Sequence, residues 1–179
     1  MRLTALTALA GAALLGGCGG VSTSAGPPAP CPRVTILADG ADLTQHRPGA
    51  VADLTTMTFD ARLLGFSGRC DYARRRESVV VTLSAIFEVE RGPAGAGLRQ
   101  ASVPWFLAVT DAGDGQVIDR QEFTSPVTFE ANVNRVRVQS APVRLNFPAD
   151  ERLVENHNVR LSFQLTPEQL AHNRRRGPR

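Results

Sequence analysis

The chain reads as an all-β protein, an antiparallel β-sandwich of about eight strands closed by a short C-terminal helix. Three observations predict this. Apolar and polar residues alternate with period two along much of the chain, which marks strands with one buried and one wet face. Turn residues separate those runs. No sustained helical period precedes residue 166, apart from one apolar stretch near the N-terminus.

A short strand fits residues 33–37. Met57, Phe59, Ala61 and Leu63 then alternate with Thr58, Asp60 and Arg62. Gly65-Phe66-Ser67-Gly68 reads as a turn before Cys70. From 79 to 89 the odd positions are Val, Val, Leu, Ala, Phe and Val. Strands near 103–110 and 116–123 flank Asp111-Ala112-Gly113-Asp114-Gly115, whose Asp and Gly residues supply the positive φ of a tight hairpin. Alternation continues over 127–133, at Val136 and Val138, over 143–147 and over 159–165. Strands at this spacing suit an immunoglobulin- or fibronectin-type sandwich. At the end, Thr166 is placed to cap a helix, with Pro167 at its first position and Gln169 closing a capping box. The arginines from 174 onward read as a basic tail near the helix C-terminus, where cations are favoured. A polar tail buries little, so removing 174–179 is expected to leave the melting temperature nearly unchanged.

All twenty basic residues are arginines, and the formal net charge is +3. Between Cys31 and Leu165, fifteen Arg stand against sixteen Asp plus Glu, a balance of −1. The positive excess sits at the C-terminus. The body therefore offers no global field for nucleic acid, which excludes that partner.

The N-terminus is the most specific local signal. Arg2 precedes an apolar stretch from Leu3 to Leu15, too short for a hydrocarbon core about 30 Å thick but suited to a cleavable signal. Leu15-Gly16-Gly17-Cys18 follows and resembles the lipobox of bacterial lipoproteins. That resemblance implies removal of residues 1–17, a lipid on Cys18 and residence in the cell envelope. In such lipoproteins an aspartate after the cysteine favours retention in the inner membrane. Gly19 here implies the periplasmic face of the outer membrane. Residues 18–30 read as the lipidated cysteine and a flexible linker of small, polar and proline residues, too poor in apolar surface to order itself. The sandwich domain spans 31–165, followed by helix and tail over 166–179.

Cys31 and Cys70 remain, an even pair for an exported chain, and predict a disulfide. Neither has a Cys or His at zinc-ligand spacing, and no Cys-x-x-Cys is present. No metal or cofactor is expected.

Other constellations are weak. Gly65-Phe66-Ser67-Gly68 lacks the second glycine of a nucleophile elbow. His46, His157 and His172 share no ligand spacing and read as solvent-exposed. Asp111, Asp114 and Asp119 lack the closing glutamate of an EF-hand and suit turn chemistry. Arg74-Arg75-Arg76, just after Tyr72, forms a basic cluster on a loop that could meet an acidic partner or anionic headgroups. Trp105 and Phe106 are neighbours in a strand, so one of them can face outward.

Cys31-Pro32-Arg33-Val34, Pro104-Trp105-Phe106 and the closing Gln164-Leu165-Thr166-Pro167 also resemble a group of proteobacterial lipoproteins of unassigned function, which implies no activity. Three expectations follow. The first is a non-enzymatic envelope lipoprotein, held to the membrane by its lipid, that binds or scaffolds another envelope component through Arg74, Arg75, Arg76, Trp105 or the terminal arginines. The second is a small-molecule or glycan-binding module lined by Trp105, Phe106 or Tyr72. An enzyme is the third, requiring His46 or His157 to meet a carboxylate within hydrogen-bond reach.

Overall fold

A computed structural model describes residues 27–177. The signal, Cys18 and the first part of the expected linker lie outside the described residues. Within them, nine strands form two packed sheets. One sheet has the order β1-β9-β5-β6, from Arg33–Ile36, Asn158–Phe163, Gln100–Thr110 and Val117–Thr128. The other runs β2-β3-β4-β7, from Asp42–His46, Met57–Tyr72, Ser78–Arg91 and Arg135–Gln139, and β8 (Val143–Pro148) also pairs with β4. All pairings are antiparallel except that of β1 with β9. Two helices complete the fold, α1 (Glu151–Glu155) and α2 (Pro167–Arg176).

Alternation places the core as expected. Val79, Val81, Leu83, Ala85, Phe87 and Val89 on β4 are buried against Val103, Trp105 and Leu107 on β5 and Leu161 and Phe163 on β9. Phe87 meets Phe163 edge to face across the sheets, with ring centroids 6.1 Å apart. That arrangement suits the negative face and positive edge of aromatic rings.

The expected turn at 65–68 is instead the middle of β3. A bulge between Leu63 and Gly65 adds one residue, so Leu64 stands outside the ladder. It shifts the alternation, and Phe66, Gly68, Cys70 and Tyr72 then stand opposite the inward-facing Ala85, Leu83, Val81 and Val79. A glycine in a strand commonly marks a bulge or a close approach. Here a Cβ at Gly68 would lie 2.4 Å from Leu83 Cδ2. Pairing along the whole of β4 outweighs the local cost of two glycines.

Two other boundaries differ. The strand expected over 127–133 stops at Thr128, because Asn132 takes a left-handed φ of 64° and turns the chain. Phe129 stays buried beyond the strand end. The body also begins before Cys31, since Ala29 packs on the core and Pro30 is buried. Strand β2 and helix α1 have no counterpart among the expected elements.

Helix α2 forms as its caps predict. Thr166 accepts from the Gln169 N–H, and Gln169 Oε1 accepts from the Thr166 N–H at 2.9 Å. Its arginines are not a loose tail. Asn173, 6% exposed, donates to the carbonyls of Asp39 at 2.9 Å and Asp42 at 2.7 Å. Arg176 reaches Asp42 Oδ2 at 2.8 Å, and Arg62 reaches the other oxygen of the same buried carboxylate at 3.1 Å. Arg174 pairs with Asp39 at 2.9 Å. Deleting 174–179 should therefore lower stability by about 1–3 kcal/mol, because a buried carboxylate loses a charged donor. Thermal unfolding by circular dichroism checks this; an unchanged midpoint would show that Arg62 alone suffices for Asp42.

Candidate functional site

Long strand β3 gives the molecule two poles. At the lower one, Cys31 and Cys70 form the expected disulfide, with Cα atoms 5.7 Å apart. The chain enters the body here. Arg33 N–H donates to His157 O at 3.2 Å, which ties the entering segment to the loop before β9. Arg74, Arg75 and Arg76 lie in the short turn between β3 and β4. Arg76 donates to Pro27 O at 3.1 Å and lies 4.1 Å over the Tyr72 ring. Arg75 is exposed.

The acidic hairpin sits at the same pole. Asp111 Oδ1 accepts from Gly115 N–H at 2.7 Å and Gln116 N–H at 3.2 Å, as turn chemistry requires. Asp114 accepts from Arg160 Nε at 2.9 Å and Thr110 Oγ1 at 2.6 Å. The Arg160 hydrogen bond first, and then Thr110, hold its pKa down to about 2. A carboxyl with a depressed folded pKa stabilises the protein above its unfolded value, and that contribution fades as pH falls from about 4 toward 2. Asp114→Asn should flatten stability across that window while leaving the fold intact. An unaltered acid limb in urea titrations at several pH values would refute this.

Trp105 is not a surface residue. It is 2% exposed, its indole N–H donates to Ser125 Oγ at 2.9 Å, and its ring lies 4.6 Å from that of Phe123. Its strand neighbour Phe106 faces outward, as period two requires, and lines a cleft of about 560 Å³ between the outer face of this sheet and α2. Arg120 lies 4.3 Å over that ring and bonds Glu122 at 2.8 Å. Tyr72 and Phe106 therefore each already carry a guanidinium.

The upper pole is thirteen residues away along β3, from Cys70 back to Met57, or about 40 Å at 3.3 Å per residue. A groove of about 780 Å³ opens there between the 46–57 segment and α2. The segment is shaped by Asp53, whose Oδ1 accepts from the N–H groups of Thr55 at 2.7 Å and Thr56 at 3.0 Å. The Thr55 hydroxyl, the largest influence, and these backbone donors hold Asp53 below the usual carboxylate range. Leu54 is 69% exposed at the rim.

His46 and His172 come from opposite walls of this groove. His46 Nδ1 lies 3.1 Å from Thr56 Oγ1, whose own proton goes to Val51 O at 2.7 Å. His157 is half-buried instead, its Nδ1 on the Leu153 carbonyl and its ring against Phe147. Ser67 lies in mid-strand and accepts from Gln139. Among the described residues no group of three or more His, Cys, Asp or Glu is placed to hold a metal. No described helix is long and apolar enough to cross a membrane.

The groove eluded sequence reasoning because its walls come from segments more than a hundred residues apart. Each wall carries basic residues, His46-Arg47 on one and His172 with Arg175 on the other, but nothing local in the sequence brings the two together. Compared with protein-family models, with curated proteins and with solved structures, the chain finds no match.

Proposed function

We propose that this chain is a lipid-anchored protein of the bacterial envelope that acts without catalysis, binding or scaffolding another envelope component at its upper pole. One observation carries the reading: the chain enters at one end of β3, and a groove of about 780 Å³ lies at the other. A lipid on Cys18 leaves nine residues to Pro27, at most about 30 Å of chain. The entry pole would face the bilayer, and the groove would stand off it, open to the periplasm. The groove's Asp53 is occupied in capping its own turn, which suits contact rather than proton transfer.

Two experiments test this. Cys18→Ala should move the protein from the membrane to the soluble fraction, and persistent membrane association would defeat the anchoring. A photo-crosslinking residue at Leu54 should capture a defined partner in intact cells, whereas one at Arg75 should not. Capture at Arg75 alone would place the binding surface at the wrong pole.

A second reading, a small-molecule or glycan site, is favoured by the Phe106 cleft, where Gln164 and Arg174 also converge. Arg120 would have to leave the ring. Loss of a bound sugar or metabolite on Phe106→Ala would support it.

A further inference from the structure

The sheet edges differ in how they are covered. Along β2 the outward carbonyls of Asp42 and Thr44 accept from Asn173 and Gln169 of α2. Strand β1 is four residues long, and β7 and β8 are five and six. Strand β6 closes its sheet with twelve residues, and no described strand pairs with its outer side.

The direction of its free backbone groups follows from its neighbour. On β5 the Pro104 carbonyl accepts from Gln164 N–H beyond the end of β9, so it points away from β6. Backbone groups alternate sides along an antiparallel strand, so those of Phe106 and Ala108 point the same way as that of Pro104. These three stand opposite Thr124, Glu122 and Arg120 on β6, whose N–H and C=O groups therefore face outward. Pro126 shares that parity, at a place where the ladder asks for no N–H. Among the described residues no backbone group outside the ladder bonds to Arg120, Glu122 or Thr124. Both ends of the edge are blunted, by Pro126 and by a bulge that leaves Ile118 off the ladder, and such devices stop strands from pairing. The stretch 119–125 between them stays open.

We propose that β6 is a self-association surface, to which a second copy of this chain adds its own β6 in antiparallel fashion about a two-fold axis at Gln121. Charge selects that register. Outward groups must meet outward groups, so the axis falls on a residue rather than between two. On Arg120 it would oppose two arginines and on Glu122 two glutamates, and like charges directly opposite destabilise a sheet. On Phe123 it would set Glu122 against Thr124 and gain no ion pair. On Gln121 it sets each Arg120 against the second copy's Glu122, with two backbone hydrogen bonds in each pair. Within one copy Arg120 bonds Glu122 at 2.8 Å, so four charges alternate across the joint. These side chains are exposed, so they fix register more than strength. The association is weak in solution and gains from tethering, which raises local concentration.

The joint also suits the chain's point of entry. Arg33 is in register, through Asn158 and Thr110, with Val117, about 10–13 Å along the strand from the axis. Both entry points thus lie near the joint, and the two upper grooves lie at its far ends. Self-association is independent of what those grooves bind.

Gln121→Cys tests the register, because residues facing each other in a non-hydrogen-bonded pair lie about 4.5 Å apart at Cα, within reach of a disulfide. The full chain in detergent at sub-millimolar concentration, oxidised with copper–phenanthroline, should form a covalent dimer on a non-reducing gel. Arg144→Cys, exposed on β8 of the other sheet, should form at least tenfold less. Adding Arg120→Glu to Gln121→Cys should cut the dimer at least fivefold, with the circular dichroism spectrum unchanged. The exchange Arg120→Glu/Glu122→Arg restores opposite charges across the axis and should restore the dimer.

Absence of a Gln121→Cys dimer, or equal yields at 121 and 144, would overturn the proposal. So would a dimer indifferent to Arg120→Glu, or one that the exchange fails to restore. Capture of a partner at Leu54 is a separate result, and none of these failures would touch it.

Discussion

Replacing Cys31 and Cys70 together by serine should lower unfolding free energy by about 4 kcal/mol. The bridge spans a sequence separation of 39 residues, and the chain-entropy account assigns a loop of that length about 4 kcal/mol of denatured-state restraint. At this chain length that corresponds to a midpoint roughly 8–16 °C lower. The loss should appear on every probe, because the bridge joins the entering segment to β3, and β3 pairs along most of its length with β4. Urea unfolding by circular dichroism, with and without reductant, measures it. Reductant should bring the native protein to the stability of the double variant. A loss under 1 kcal/mol would mean that contacts around Pro30 and Arg33 already restrain the segment without the bridge.

Trp105→Ala should cost about 3–5 kcal/mol, the range for a buried aromatic cut back to a methyl. The ring is sealed between the sheets and its N–H is satisfied by Ser125, so truncation leaves both a cavity and an unpaired hydroxyl. Trp105→Phe should cost less, because most of the volume is kept and only the hydrogen bond is lost. Ser125→Ala should cost about 1–3 kcal/mol by leaving the indole N–H unpaired. This is the chain's single tryptophan, so its native emission should be blue-shifted and resist iodide quenching. Ready quenching in the folded state would contradict its burial and return it to the list of partner contacts.

The candidate site was far less readable than the sandwich. Strands from Val79 to Val89 and from Val159 onward are visible because alternation is a local property, and one buried face imposes it residue by residue. Strand β2 escaped notice because Asp42-Leu43-Thr44-Gln45-His46 holds one apolar residue. It forms because the upper half of β3 offers an unpaired edge and α2 covers it. The 65–68 segment was misjudged for a related reason: a single bulged residue inverts the alternation, and only the register with β4 shows where.

The basic residues divide in the same way. Arg76, expected to meet a partner, is spent on Pro27 and Tyr72, and Arg176, expected in a free tail, reaches a buried aspartate 134 residues earlier. Arg47, which no motif marked, and Arg175, expected among the terminal arginines, both line the upper groove. Charge in a sequence says nothing of its own pairing.

By itself the sequence determined the strand-forming pattern, the capped C-terminal helix and the disulfide pair, since each depends on period, adjacent residues or a count of two. The tertiary structure alone decided the strand order, the parallel pairing of the first and last strands, the docking of α2 and the groove opposite the chain's point of entry. Those depend on which distant segments meet, and that follows from packing two sheets around one core rather than from any residue's neighbours in the chain.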